Sequence, residues 1–307
     1  MTLPNFLIFG VQKAGTTSVY NYLKQHPQVY TSPIKETEFL SRESARKPEL
    51  LTDEDRTGLT KGGRQKIVTI ERYEALFDAA GEAIALGEAS PNYLFAHEQA
   101  VPNIQTYIPH AKLIAILRNP VERAYSDYLM SLRQVVGNHK PLAAQVETSR
   151  QTSHTLLKGL YYEGTKHFLD AFGPEQVKIF LFDDLRQSSA ELMRELYEFI
   201  GVDSSFAAST QKKSQTAEVP KNSTINRLLR TKNPIREGAA KVLRAVVSEE
   251  NRQKLRSQLI SANSRGKEYL PLTNDERRLL EDYYRQDILQ LQELLSRDLS
   301  HWFKADR

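Results

Sequence analysis

Near the start of the chain stands Phe6-Leu7-Ile8-Phe9-Gly10-Val11-Gln12-Lys13-Ala14-Gly15-Thr16-Thr17-Ser18-Val19-Tyr20-Asn21-Tyr22-Leu23. Phe6 to Phe9 is an apolar run long enough for one buried strand. Gly10 to Gly15 supplies a turn with two glycines and a lysine, and from Thr16 the pattern changes. Val19, Tyr22 and Leu23 fall at helical spacing, and Pro27 closes the segment. Strand, glycine turn and helix form a layout in which backbone N–H groups converge on one spot and the helix dipole favours an anion there. Lys13 adds a full charge, and Thr16, Thr17 and Ser18 add hydroxyl donors. The same residues also fit an ordinary βα turn, capped by Thr16 or Thr17 with Lys13 solvated. A lysine and three consecutive hydroxyls in one turn favour the anion site.

The residue order separates this loop from a nucleoside-triphosphate loop of the form G-x-x-x-x-G-K-[ST]. Gly10 and Gly15 have that separation, but Thr16 stands at the lysine position and Lys13 precedes Gly15 by two residues. A second motif lies at Ala111-Lys-Leu-Ile-Ala-Ile-Leu-Arg-Asn-Pro-Val-Glu-Arg-Ala-Tyr-Ser126. Leu113 to Leu117 reads as a central parallel strand, with Arg118 at its C-terminal end, where open α/β sheets bind ligands. Asn119-Pro120 opens a helix with proline in its first turn. Its Ala124, Tyr125, Tyr128 and Leu129 are expected to face the core. Arg118 and Ser126 suit a second phosphate; singly, they also fit a salt-bridged arginine and a surface serine.

The two motifs together resemble the sulfotransferases that use 3′-phosphoadenosine 5′-phosphosulfate (PAPS), above all the bacterial members and the heparan-sulfate branch. The resemblance implies an α/β fold: a P-loop-like, mostly parallel sheet with helices on both faces. It makes Lys13, Ala14, Gly15, Thr16, Thr17 and Ser18 the 5′-phosphosulfate loop, and it puts Arg118 and Ser126 on the 3′-phosphate. Ile34-Lys-Glu-Thr-Glu-Phe-Leu40 reads by itself as a solvated turn. By resemblance to the heparan-sulfate branch, Glu36 is the general base, and Glu38-Phe39-Leu40 matches a polar-Phe-Phe unit. Gly87-Glu-Ala-Ser-Pro-Asn-Tyr93 resembles a Glu-Lys-[Ser/Thr]-x-x-Tyr signature in which Ala89 replaces the lysine. Ser90 and Tyr93 are carried over as pocket-lining residues. Met130 stands where the N-sulfotransferase branch has histidine, and His139 reads as a surface loop residue. Lys221-Asn222-Ser223 resembles an Asn-x-Ser segment near the donor, which places Lys221 on the phosphosulfate.

The implied reaction is transfer of a sulfuryl group from PAPS to a hydroxyl or amine of an acceptor, a glycan being favoured. Glu36 would take the proton and Lys13 would stabilise the leaving phosphate. No metal is expected, since His97-Glu98 lacks the second histidine of a zinc helix. Two alternatives remain open from the residues: a P-loop kinase or nucleotidase, and a non-catalytic nucleotide- or glycan-binding module. The kinase is disfavoured by the lysine order and by Arg118, where a second nucleotide motif would end its strand in aspartate.

Bulk properties agree with a globular enzyme. The chain has 307 residues, 40% of them hydrophobic, a formal charge of +4 and no cysteine. Disulfides and thiol catalysis are excluded, and the charge does not imply nucleic acid. No apolar run approaches the roughly 20 residues that span a bilayer. The first strand begins close to Met1, so neither leader nor anchor is expected and a cytosolic location is. One domain over 1–307 is expected. Its parts are an α/β core with the donor site at 1–205, a basic closing segment at 206–270, and a C-terminal helix packing on the core at 271–307. Residues 212–267 carry fourteen Lys or Arg against four Glu. Residues 41–66 read as a charge-rich loop or lid. Helices are expected over Ile70–Ala80, Leu156–Phe172 and Ala190–Ile200, and strands over Ala83–Leu86 and from Gln176. A long C-terminal helix is expected to be capped by Thr273 and striped by Leu280, Tyr284, Ile288 and Leu291.

Overall fold

The computed structural model describes residues 2–52, 55, 67–136, 139–210, 218–230 and 249–303. Part of the charge-rich stretch, 53–54 and 56–66, therefore lies outside the described residues, as does 231–248 of the basic segment. In chain order the main elements are β1 (Phe6–Gly10), α1 (Thr16–Leu23), β2 (Val29–Thr31), β3 (Ala85–Ala89), α2 (His97–Tyr107) and β4 (Lys112–Leu117). Then come α3 (Pro120–Gln134), α4 (Tyr162–Phe172), β5 (Val177–Leu181), α5 (Phe182–Gln187) and α6 (Ser189–Ile200). The C-terminal part holds β6 (Glu218–Pro220), α7 (Ser223–Arg230), α8 (Glu249–Ala262), β7 (Ser264–Gly266) and α9 (Asn274–Leu295). They group into two compact units, one within 1–119, 160–214 and 286–302, the other within 120–159, 215–285 and 303–307.

The first unit is built on a five-stranded parallel sheet in the order β2-β3-β1-β4-β5. β1 and β4 are continuous apolar runs because they are central: every residue from Phe6 to Phe9 and from Leu113 to Leu117 is buried. β1 lies between β3 and β4, so the loops leaving the C-terminal ends of these three strands emerge side by side. Neighbouring strands are about 4.8 Å apart, so the outer two of the three stand roughly 10 Å apart. Gly87 in β3 is required by a close approach, since a Cβ there would lie 1.9 Å from the Phe6 ring. The core is completed by stacked pairs, Phe9 on Phe168 at 4.1 Å and Phe39 on Tyr73 at 4.8 Å.

The second unit centres on α3, whose Val121, Ala124, Tyr125 and Leu129 are buried, with Tyr128 half-buried. Arg123 is fully buried on the same helix, pairing with Asp127 at 3.5 Å and donating to the Thr155 carbonyl. Asn226 of α7 donates to the carbonyls of Leu132 and Arg133 (3.1 and 3.0 Å), satisfying the end of α3. β6 and β7 pair antiparallel, with Val219 opposite Arg265. The start of α9 is a reciprocal cap. Glu276 N–H donates to Thr273 Oγ1 (3.2 Å), and Thr273 N–H donates to Glu276 Oε2 (3.0 Å). Along α9, Leu280, Tyr284, Ile288 and Leu291 are completely buried.

One alternative reading and two expectations are corrected; the strand expected over Ala83–Leu86 runs over Ala85–Ala89. The cap of α1 is Gly15, at φ 82°, and neither Thr16 nor Thr17 caps through its side chain. The helix expected over Leu156–Phe172 is broken into His154–Leu157 and α4. The break has a cause on the far side of the sequence: Asp287 accepts the N–H groups of Tyr161 and Tyr162 (2.8 and 3.0 Å), starting α4 afresh. The 3-10 turns Phe39–Ser41, Glu43–Ala45 and Pro48–Leu50 order the beginning of the charge-rich stretch. They are tied down where Asn103 donates to the Leu40 and Arg42 carbonyls (2.7 and 2.9 Å).

Candidate functional site

The glycine loop leaves the end of β1 and enters α1. Gly15 sits in the left-handed region, and a Cβ on it would come within 2.6 Å of Leu185 and 3.0 Å of Phe182 in α5. Only glycine satisfies both the dihedral and the space. Its carbonyl accepts the N–H groups of Ser18 and Val19 (2.9 and 3.2 Å). The amides of Gly15, Thr16 and Thr17 have no backbone partner among the described residues, as the first turn of a helix requires. Lys13 is also at positive φ (71°), and Ala14 is buried beneath the loop. Thr16 and Ser18 are buried, while Thr17 is exposed.

Arg118, at the end of β4, reaches the same loop. Its Nη1 donates to the Lys13 carbonyl (3.0 Å), and its guanidinium lies 4.9 Å over the Phe182 ring. Its own carbonyl accepts from the Tyr161 hydroxyl (2.9 Å). The Asp287 carboxylate that holds Tyr161 N–H is pushed up to about 6, because burial disfavours its charge more than the two amides favour it. Loop, arginine, tyrosine and aspartate thus form one connected framework.

The acidic turn is fastened to the end of β3. Glu36 N–H donates to the Ala89 carbonyl (2.9 Å), and Glu38 N–H donates to Ser90 Oγ (3.1 Å). Both glutamates adopt positive φ, 63° and 52°. The Glu36 side chain is 44% exposed, with Oε1 2.7 Å from Lys35 Nζ. Sheet order therefore brings the loop of Lys13, the turn of Glu36 and the guanidinium of Arg118 to one edge of the sheet, on neighbouring strands. Ser90 and Tyr93, expected to line a pocket, are instead fully buried on the Glu88 carboxylate. Sequence reasoning did not single out Glu88. Burial raises its carboxyl above the usual range, against the pull of the hydroxyls around it.

Three candidates fall in the second unit. Ser126 is half-buried on α3. Lys221 is exposed, its Nζ donating to the Ala262 carbonyl at the end of α8 (2.8 Å). His139 bonds the Val136 carbonyl (3.0 Å) and lines a cleft of about 630 Å³ together with Arg227 and Arg265. In the first unit, His97 meets a second histidine in space: the Nδ1 atoms of His97 and His167 are 2.8 Å apart. Burial and this neighbour lower the His97 pKa. Among the described residues no three His, Asp or Glu side chains cluster as a metal ion would require, and no helix is long and apolar enough to cross a membrane.

Comparison with known proteins decides what this framework belongs to. The sulfotransferase family model matches residues 4–206, which takes in β1 through α6. The chain belongs to the sulfotransferase family. This sulfotransferase is 26% identical, over 99% of its length, to the human bifunctional heparan sulfate N-deacetylase/N-sulfotransferase 3. It is 31% identical, over 41% of its length, to mouse carbohydrate sulfotransferase 15. It spans 31% of the human protein and 27% of the mouse one, so less than a third of these curated relatives is represented. Among solved structures, a sulfotransferase from Alicyclobacillus acidocaldarius superposes with a TM-score of 0.67 at 28% identity, covering 98% of this chain and 99% of that one. The α/β, P-loop-like fold is thereby established for this chain.

Proposed function

We propose that this sulfotransferase moves the sulfuryl group of PAPS to a hydroxyl or amine of a glycan. The observation that carries the reading is the framework at the edge of the sheet: a glycine-capped helix start with free first-turn amides, braced by Arg118 through the Lys13 carbonyl. Such a cradle suits a phosphate bearing a leaving group. The amides of Gly15, Thr16 and Thr17, with the hydroxyls of Thr16, Thr17 and Ser18, would hold the 5′-phosphate, and Ala14 gives the loop its close backbone approach. Lys13 would neutralise the bridging oxygen. Arg118 and Ser126 would take the 3′-phosphate, and Lys221 the phosphosulfate from the basic segment.

In the transfer the acceptor oxygen or nitrogen attacks sulfur as the bond from sulfur to the bridging oxygen breaks. The acceptor proton passes to Glu36, and the electron pair leaves on the 5′-phosphate of adenosine 3′,5′-bisphosphate. Catalysis in this form rests on alignment and charge stabilisation. The half-exposed Glu36, on a turn anchored to β3, suits a base that meets a bulky acceptor. The glycan preference is supported by the relatives, whose names specify heparan sulfate and carbohydrate. We place the reaction in the cytosol and without a metal.

The test is transfer of label from [35S]PAPS to oligosaccharides in excess EDTA, using chains with free glucosamine amines beside chains with hydroxyls alone. Label in the sugar is the expected result. Transfer of phosphate from ATP, lost with EDTA and restored by magnesium, would replace the reading with a kinase.

A further inference from the structure

Glu88 lies in β3, in register with Leu7 of β1, and is 1% exposed. Among the described residues no lysine, arginine or histidine forms an ion pair with it. What surrounds its carboxylate is hydroxyl groups. Tyr73 and Tyr93 donate to Oε2 (2.8 and 3.0 Å), and Thr37 and Ser90 donate to Oε1, Thr37 at 2.8 Å. A buried carboxylate held only by neutral donors, from four places in the sequence, is a costly arrangement unless every group is matched.

The matching has a direction. Ser90 Oγ accepts Glu38 N–H (3.1 Å), Thr37 Oγ1 accepts Phe39 N–H (3.3 Å), and the Tyr93 hydroxyl accepts Leu40 N–H (3.3 Å). A hydroxyl has a single proton to give. With a lone pair committed to a backbone N–H, each of the three turns its proton to Glu88. An acceptor-only carboxylate therefore sets three hydroxyls, and these hold three successive amides of the chain. Glu38, the first of these three residues, and Glu36, two positions earlier, occupy the left-handed region. Such conformations persist in non-glycine residues only where the surroundings over-determine them.

We propose that Glu88 is a positioning residue for sulfuryl transfer: through Ser90, Thr37 and Tyr93 it fixes the turn that aims the Glu36 carboxylate. The proposal rests on Glu36 being the base. Glu88 touches neither donor nor acceptor; its effect on the reaction is carried by the backbone of residues 36–40. Exchanging it for glutamine puts N–H groups where hydroxyl protons already point. At least one hydroxyl must then turn and release its amide.

The experiment compares Glu88→Gln, Ser90→Ala, Glu36→Gln and the double variant Glu36→Gln/Glu88→Gln with the wild-type chain. Turnover is read as release of adenosine 3′,5′-bisphosphate from PAPS, water serving as acceptor where no other is added. Amide hydrogen exchange is followed over residues 36–41 and over α1. Glu88→Gln and Ser90→Ala are expected to speed exchange in the turn but not in α1, and to slow turnover roughly 10–100-fold, the scale of a misplaced reacting group. Bisphosphate affinity should stay within about twofold, as for an independent site. The double variant should be no slower than Glu36→Gln alone, because Glu88 acts through Glu36. Unchanged exchange and turnover in both single variants overturns the proposal. So do rate losses that multiply in the double variant, or exchange that rises equally in α1, the mark of general destabilisation. If Glu88→Gln does not fold, Ser90→Ala carries the same readouts. If Glu36→Gln turns over normally, the base assignment falls, and exchange over 36–41 alone then decides whether Glu88 orders the turn.

Discussion

The glycine loop at 10–18 and the acidic turn at 36–40 stand at the ends of adjacent strands, yet they are held by opposite means. The loop is held largely by its own backbone. Gly15 caps α1, its carbonyl takes two amides, and Arg118 adds a bond to the Lys13 carbonyl. The turn keeps two glutamates at positive φ by hanging three amides on hydroxyls that converge on one buried carboxylate. The first arrangement leaves amides free to meet an anion. The second spends its amides on internal order and leaves an exposed carboxylate for chemistry. On the proposed roles, one region would bind and the other would aim.

The comparison breaks most sharply at Glu36. Glu36→Gln keeps shape and hydrogen bonding but removes the proposed base, so kcat is expected to fall by about 10²–10⁴. Calorimetry of adenosine 3′,5′-bisphosphate should show unchanged affinity, since the loop is proposed to hold the donor. A fall in both would mean that the two regions are not separable. A smaller effect is expected on the loop side from Asp287, through Tyr161 and the Arg118 carbonyl. Its pKa in the fold, about 6, lies above the unfolded value near 3.8. The native state therefore holds more protons between these values. Stability from this group is fully present below about pH 4 and is lost as pH rises through about 6. The loss is on the order of 3 kcal/mol. Denaturation of the wild-type chain and Asp287→Asn across this range should show the difference between them shrinking as pH rises. A difference that does not change with pH would contradict a raised Asp287 pKa in the fold. Gly15→Ala adds left-handed strain of about 1–2 kcal/mol to a Cβ that would lie 2.6 Å from Leu185. It should weaken bisphosphate binding while leaving exchange at residues 36–41 untouched. Faster exchange there would contradict separate support for the two regions.

This contrast also explains what could be read from the sequence. The loop was legible because its pieces are contiguous: strand, glycines, lysine and hydroxyls lie within Phe6–Leu23. Arg118 was legible for the same reason, as the residue closing an apolar strand. The capping box at Thr273 and Glu276 is likewise local, spaced by three residues. Glu88 stands in the Glu-x-Ser-x-x-Tyr stretch, but that stretch gives it no role of its own. Its hydroxyl partners come from positions 37, 73, 90 and 93, and nothing local marks that these share one carboxylate. Ser90 and Tyr93 are carried over as pocket residues from the family signature, which does not show that they are buried. Asp287 was hidden in an apolar stripe of α9, 126 residues from the Tyr161 amide it receives. Without it, the apolar spacing through Leu156–Phe172 reads as one helix.

The central claim, that the edge of the sheet holds a doubly phosphorylated adenosine, is tested most directly by calorimetry with two ligands. Adenosine 3′,5′-bisphosphate and AMP differ only in the 3′-phosphate assigned to Arg118 and Ser126. A charge-assisted contact contributes roughly 1.5–3 kcal/mol. The bisphosphate should therefore bind at least about tenfold more tightly than AMP to the wild-type chain. That preference should shrink in Arg118→Ala. Equal affinity for the two ligands in the wild-type chain would contradict the account.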